Sequence, residues 1–202
     1  MIHHVFSVAK EVNESYTFTE MLQQDDRNQF VEAMTKEIGD HTKRKHWEIV
    51  PRSQMPRGIK PIMAICSFKR KRYPDGILNK HKARLCAHGG QQKWGINYWD
   101  TYAPVINWVS VIFLLIISQL AGLETQALYF VLEFPQAKLD VPVYMKIPPG
   151  IDIENGSKDE YLISLKSSLY GLKQSSANWY DCLRKGLERR GFRESKANHE
   201  AA

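Results

Sequence analysis

The chain has 202 residues, 43% of them hydrophobic and 25% charged, with a formal net charge of +6. These proportions lie near the globular average and exclude a disordered polyelectrolyte, while the length suits one domain with its own core or a piece of a larger one. Three cysteines with no CxxC pair exclude a disulfide framework and a zinc knuckle, and point to a reduced, intracellular protein.

The first residues, MIHHVFSVAKEV, hold no apolar run of signal-peptide length, so no secretory leader is expected. From Thr17 the pattern turns helical. Thr17 and Glu20 stand at capping-box spacing, and Phe30, Met34 and Ile38 recur four apart, which predicts an amphipathic helix over about 25–45 that docks on the rest of the chain. This makes residues 1–45 an N-terminal extension.

PRSQMPRG (51–58) reads as a loop. IMAICSFKRKRY, then PDG at 74–76, then ILNKHKARLCA reads as a β-hairpin, because Pro-Asp-Gly presets one turn dihedral and supplies a residue free to take positive φ. Most of the charge excess lies here. Between Lys60 and Lys93 there are nine Lys/Arg against one acid, Asp75, a local sum of +8 that leaves −2 for everything else. Such a block suits a polyanion, nucleic acid or nucleotide phosphates, or is simply a solvated face. Cys66 and Cys86 fall on the two arms, where they could lie near each other as a buried thiol pair rather than a bond.

GGQQKWGINYWDTYAPV (89–105) has loop character. VSVIFLLIISQLAG (109–122) places Val109, Ile112, Phe113 and Ile116 at helical offsets with Gly122 as the stop; at 14 residues it is too short to span a bilayer and reads as a core helix. Leu128, Phe130, Leu132 and Phe134 alternate with Tyr129, Val131 and Glu133, predicting a strand ended by Pro135. Further strands are expected in VPVYMKIPPG (141–150) and YLISLKSSLYGL (161–172), and a helix in NWYDCLRKGLERRGF (178–192), ended by Gly191. Strands and helices alternate irregularly, so the fold class is α+β. Seven histidines offer no HExxH spacing and suit surface or core roles.

Three stretches in order, NKHKARLCAHGGQQKWGINYWDTYAPV, FVLEFPQAKLDVPVYMKIPPG and LKSSLYGLKQSSANWYDCL, resemble the reverse transcriptase domain of copia-type retrotransposon polyproteins. The resemblance covers residues 46–202 and implies the fingers and an incomplete palm of a right-handed polymerase, with the thumb absent. It implies RNA-directed DNA synthesis, an RNA template with a DNA primer and dNTPs as partners, and Mg²⁺ as cofactor, held by carboxylates from two palm segments. It makes Lys82 and Arg84 of KARL candidates for nucleotide-phosphate and template contacts. Phe134 matches the aromatic beneath the incoming sugar, and Gly171, Lys173 and Gln174 of LYGLKQ match the segment lining the template and nucleotide pocket. Trp179 and Tyr180 are expected to pack.

The chain departs from the family pattern at the chemistry. Tyr129 stands where the first metal-binding aspartate belongs, and a phenol of pKa ~10 supplies no anionic oxygen at neutral pH. Glu133 stands where a small residue is expected, adding bulk and negative charge against the substrate. No Tyr-x-Asp-Asp turn occurs in the 202 residues, Asn198 replaces an acid, Cys66 replaces a tryptophan and Ile112 replaces an arginine, and HEAA leaves the pattern. The expectation is a domain truncated before the Asp-Asp turn, with no intact catalytic set and no productively bound metal. The alternative is a non-catalytic nucleic-acid-binding remnant acting through the hairpin 60–93.

Overall fold

A computed structural model describes residues 14–154 and 156–194. The opening dodecapeptide, Asn198 and the closing HEAA lie outside the described residues. Within them, two three-stranded antiparallel sheets and four helices form an α+β arrangement.

The first sheet has the order β1 (Ser15–Tyr16), β3 (Ala64–Arg72), β4 (Leu78–Ala87). β3 and β4 are the hairpin expected from the sequence. Gly76 takes φ +86° at the turn, Tyr73 and Ile77 close it, and the Asp75 carboxylate accepts from the Ile77 N–H at 2.9 Å. The register pairs Lys69 with Lys82 and Ser67 with Arg84 on one face, and Phe68 with Ala83 and Arg70 with His81 on the other. Cys66 lies opposite Leu85 and Cys86 opposite Ile65, so the two thiols fall on opposite faces and both are free. Burial pushes the Cys66 thiol up to about 11.

The helix expected over about 25–45 is present, and a short separate helix precedes it. The Thr17/Glu20 capping box starts the short α1 (Phe18–Leu22), while α2 runs Arg27–Lys43 and sits on β4. Met21, Phe30 and Met34 close a core with Phe68 and Ala83. Asp26 occupies the N-cap position of α2 but makes no cap bond, because its carboxylate is taken elsewhere. Its oxygens accept from Arg70 Nε at 2.7 Å, Arg70 Nη2 at 2.6 Å and His81 Nε2 at 2.6 Å. α2 ends in a Schellman motif with a non-glycine, Lys45 at φ +57°, where the His46 N–H reaches back to the His41 carbonyl and Lys45 to Thr42. His41 and His46, both buried, meet there with their Nδ1 atoms 2.9 Å apart, so one donates and the other accepts.

The second sheet has the order β2 (Trp47–Pro51), β6 (Tyr161–Ser167), β5 (Lys138–Lys146). The Ile62 N–H donates to the Tyr144 carbonyl, and the Lys146 N–H to Ile62, stitching the run-in of β3 to β5. Trp47, Ile62, Leu85, Val143, Met145, Ile163, Leu165 and Leu169 form the main core between the sheets. α4 (Ser175–Glu188) follows β6, starting three residues before the expected position.

Two expectations fail. The apolar run does form a helix, α3 (Trp108–Leu120), closed by Gly122 at φ +63° with the Leu123 N–H bonded to the Ser118 carbonyl. It is not a core helix, for none of its residues is buried, and Trp108, Val109, Phe113 and Leu120 are all well exposed. Periodicity reports apolar faces, not what covers them. The alternating stretch 126–134 is likewise no strand: it is irregular to Phe130, turns over 131–133 with Leu132 at φ +52°, and enters a 3₁₀ turn at Phe134–Gln136. A strand must pair its backbone polar groups, and no described strand lies alongside this segment. Among the described residues, no helix is long and apolar enough to cross a membrane.

Candidate functional site

Tyr170 is the hub at which the separated sequence stretches meet. It follows β6 in the Leu169–Leu172 turn, and its carbonyl accepts from the Ala87 N–H at 2.7 Å, tying the end of the hairpin to the turn. Gly171 makes that approach possible. A Cβ there would stand 2.2 Å from the Ala87 carbonyl oxygen, and φ is +86°. Gly89 fits the Gly171 carbonyl in the same way, with a Cβ 2.1 Å away. The close approach that glycine permits here is therefore to the protein's own backbone, a packing role beside the pocket role expected from the resemblance.

Around the Tyr170 ring stand Arg84, whose guanidinium carbon lies 5.5 Å from the ring centroid, and Phe134, edge-on at 5.1 Å. Burial, then the neighbouring Glu133 carboxylate, pushes the Tyr170 phenol above its ordinary range, while Arg84 acts in the opposite sense. The structure thus brings Arg84, Glu133, Phe134 and Gly171 together. Tyr129 stays outside the packing, 84% exposed.

Lys173 and Gln174 belong to a second, adjoining cluster. Gln174 is buried, and its amide donates to the Asn97 carbonyl at 2.9 Å and accepts from Gln92 Nε2 at 2.9 Å. The Lys173 backbone N–H donates to Gln92 Oε1 at 2.8 Å, and its ammonium donates to the Tyr98 hydroxyl at 3.1 Å while lying over that ring. Gln174 thus has its polar atoms committed to fixing the 92–98 loop. Gln92, Asn97 and Tyr170 were not singled out from the sequence; a buried amide in a loop leaves no periodic signal, and only the glutamine-rich GGQQ hinted at it.

Lys82 lies apart, on the outer face of the hairpin. There Lys69, Lys71, Lys80, Lys82 and Arg84 share one side by register. Burial first, then the charges of Arg84, Lys71 and Lys80, pulls the Lys82 ammonium below its ordinary range; Glu37 opposes this. The inner-face cations are already neutralised. Arg70 is held by Asp26 and the Tyr16 hydroxyl, and Arg72 by Glu14 at 2.8 and 2.7 Å. The hairpin cations therefore divide into an inner face paired with carboxylates and an outer face on which the described residues form no ion pairs.

The chain matches the family described as "Reverse transcriptase (RNA-dependent DNA polymerase)" over residues 44–201. It belongs to the copia-type reverse transcriptases. It is 30% identical over 83% of its length to the retrovirus-related Pol polyprotein from transposon TNT 1-94 of Nicotiana tabacum, and 34% identical over 82% to that from transposon RE1 of Arabidopsis thaliana. To the transposon Ty1-ER2 Gag-Pol polyprotein of Saccharomyces cerevisiae it is 32% identical over 80%. These matches cover 12%, 11% and 9% of the relatives' own lengths, so the chain spans about a tenth of each. No solved structure matches it.

Magnesium takes hard, anionic oxygens. Tyr129, the residue that the resemblance sets against the first carboxylate, is exposed, and the Glu133 carboxylate sits against Tyr170. No three His, Cys, Asp or Glu side chains gather as metal ligands among the described residues.

Proposed function

We propose that this chain is a reverse transcriptase domain that has kept its nucleic-acid-facing surface and lost nucleotide addition. The exchange of a carboxylate for Tyr129 is the observation that carries the reading. Aligning a primer hydroxyl and a triphosphate for in-line attack requires divalent charge at that point, and tolerates about 0.5 Å of misplacement. Glu133, on a turn four residues away, is a poor substitute and brings negative charge to the place a triphosphate would occupy.

In this reading β3 and β4 act as fingers, and the β2–β6–β5 sheet with the 126–137 segment as an incomplete palm. Residues 1–45 are an extension that braces the fingers, and 46–202 are the domain proper. Lys82 and Arg84 face phosphates, Phe134 the sugar, and Gly171, Lys173 and Gln174 hold the adjoining wall. Primer extension on an RNA template with Mg²⁺ or Mn²⁺ tests the loss. We expect no incorporation above a heat-killed control, and incorporation that a chelator abolishes overturns it.

The row of cations on the outer face of the hairpin, Lys69, Lys71, Lys80, Lys82 and Arg84, supports a second reading, a binding module without chemistry. Lys82→Glu with Arg84→Glu should weaken nucleic-acid binding, and binding at low salt should fall steeply by physiological salt. Affinity unchanged in the double variant removes the hairpin from the account.

A further inference from the structure

Among the described residues, α3 packs closely against no other helix or strand. A helix apolar on every side is ordinarily buried, so this one lacks a cover. Ser110, Val111 and Ser118 lie on its half-covered side. Val109, Ile112, Phe113, Ile116 and Leu120 project on the opposite side, where their spacing makes one continuous stripe. Phe113 keeps 60% of its surface exposed and Ile116 53%. Along the edge of the stripe runs an open recess of about 330 Å³, lined by Ile112, Leu115, Ile116, Gln119 and Leu120.

The helix is fixed at both ends. The Asn107 side chain accepts from the Val109 N–H at 2.9 Å, and the Leu123 N–H closes the other end on the Ser118 carbonyl at 2.8 Å. The stripe is thus preformed, which lowers the cost of association. Charge decides what can meet it. No Asp, Glu, Lys or Arg occurs from 101 to 123, whereas the whole chain carries +6, so two copies repel each other in general yet meet at α3 with no charge face to face. A surface without ionic groups has nothing with which to select a partner of opposite charge, but it complements itself, for the Phe113 ring of one copy is a knob for the recess beside Ile116 of another. The helix has no acid in its first turn and no base in its last, and antiparallel pairing sets each N-terminus beside the other's C-terminus, which compensates both dipoles. At about 100 Å² per buried side chain, the stripe buries roughly 1,000 Å² across a pair, the lower limit for a specific interface and the size of a reversible one.

We propose that α3 is a self-association face, through which two copies of this chain form an antiparallel, two-fold symmetric helix pair. A two-fold contact uses the same patch on both copies and closes on itself, so association stops at two. With the stripe centred between Phe113 and Ile116, Phe113 of each copy faces Ile116 of the other, and Val109 faces Leu120. In dilute solution the stripe is bare, and it becomes covered as concentration rises. The inference does not rest on the proposed loss of nucleotide addition.

The test is sedimentation equilibrium of the 202-residue chain, after nuclease treatment so that no nucleic acid bridges copies, from low micromolar to several hundred micromolar. The mean mass should rise from one chain to two and stop there. Ile116→Glu brings a charge into the pair and should weaken it about a hundredfold or more. Phe113→Lys alone should do the same, and an equimolar mixture of the two variants should pair again, because position 113 of one chain faces position 116 of the other. Both positions are exposed, and circular dichroism checks that the fold persists. If either charged variant loses it, Ile116→Ser should still weaken pairing about tenfold. A chain monomeric throughout, association that Ile116→Glu or Ile116→Ser leaves unchanged, or growth past two copies overturns the proposal. A mixture that stays monomeric overturns the antiparallel pairing. Flotation of the chain with neutral phosphatidylcholine vesicles that Ile116→Glu abolishes assigns the stripe to a lipid surface and overturns the proposal as well.

Discussion

Asp26→Asn is the perturbation that asks most of the structure. Asp26 receives three hydrogen bonds, two from Arg70 in a fork and one from His81, in a site where its side chain and that of Arg70 keep only 22% and 17% of their surface exposed. An asparagine with its oxygen at the Oδ2 position keeps the Arg70 Nε and His81 bonds but turns an NH₂ group toward Arg70 Nη2, which loses one of the three bonds and leaves a half-buried guanidinium without its counter-charge. Charge-assisted bonds are worth about 1.5–3 kcal/mol each, and residual solvent screening trims this, so we expect a loss of roughly 2–3 kcal/mol. With a urea slope of about 1–3 kcal/mol per molar, the unfolding midpoint at pH 7 should fall by about 1–2 M. The pH dependence gives an independent check. The Arg70 hydrogen bonds first, then the His81 bond, hold the Asp26 carboxyl well below the usual carboxylate range. A group with a depressed native pKa contributes stability above its unfolded value of about 4 and loses it as pH falls further. The gap between Asp26→Asn and the parent should therefore narrow progressively below about pH 4. Equal midpoints at pH 7, or a gap undiminished at pH 2, would refute the reasoning and show that the N-terminal extension does not brace the hairpin.

Three other expectations follow from particular contacts. Gly171→Ala places a Cβ 2.2 Å from the Ala87 carbonyl oxygen at φ +86°, so backbone strain plus the weakened Ala87–Tyr170 hydrogen bond should cost about 2–4 kcal/mol in chemical denaturation; a change under about 0.5 kcal/mol contradicts the close approach. His46 is held down to about 4 by burial, then by His41 and Arg44, so the neutral imidazole is the native form. Stability should be full above about pH 6.5 and decline toward pH 4, and a His46→Gln variant should lose that part of the slope in a pH series of thermal melts. Val109→Glu with Leu120→Arg, at opposite ends of α3 and each matching the helix dipole, should lower ANS fluorescence with stability changed by less than about 1 kcal/mol; a large loss would mean these side chains, 70% and 83% exposed, are packed after all.

The sequence disclosed those parts of the fold whose signal is local. Pro74-Asp75-Gly76 fixes the hairpin because the turn needs one preset dihedral and one positive φ, and Gly122 stops α3 because a left-handed residue releases the helix carbonyls. It was silent where a second element decides. Whether the α3 face is covered, and whether 126–134 pairs as a strand, depends on neighbours that alternation does not encode, and both expectations failed there. The basic block shows the same limit in charges. Nine cations in one stretch look alike in sequence, yet the register sends Arg70 and Arg72 to Asp26 and Glu14, puts Lys69, Lys71, Lys80, Lys82 and Arg84 on the other face, and brings Arg84 over the Tyr170 ring. Charge counting alone therefore overstated the surface available to a polyanion.

Within the candidate site, residue chemistry was legible and geometry was not. Tyr129 can be judged without coordinates, since a phenol neutral at physiological pH is no substitute for a carboxylate wherever it points. The fate of Glu133 needs the structure. Beside Tyr170, it raises that phenol's proton affinity, while Arg84 acts in the opposite sense from the same ring. A pocket built to receive a triphosphate gathers positive charge, and a resident carboxylate at its centre satisfies part of that charge before any nucleotide arrives. In the proposed reading the two departures act in the same direction, Tyr129 by withholding an anionic seat for a metal and Glu133 by placing an anion where the substrate's would go. Reversing Tyr129 alone would leave the second in place, so Tyr129→Asp should not raise nucleotide affinity, whereas Glu133→Ala should, by equilibrium dialysis with dTTP. The opposite ranking would show that Glu133 lies outside the nucleotide's path.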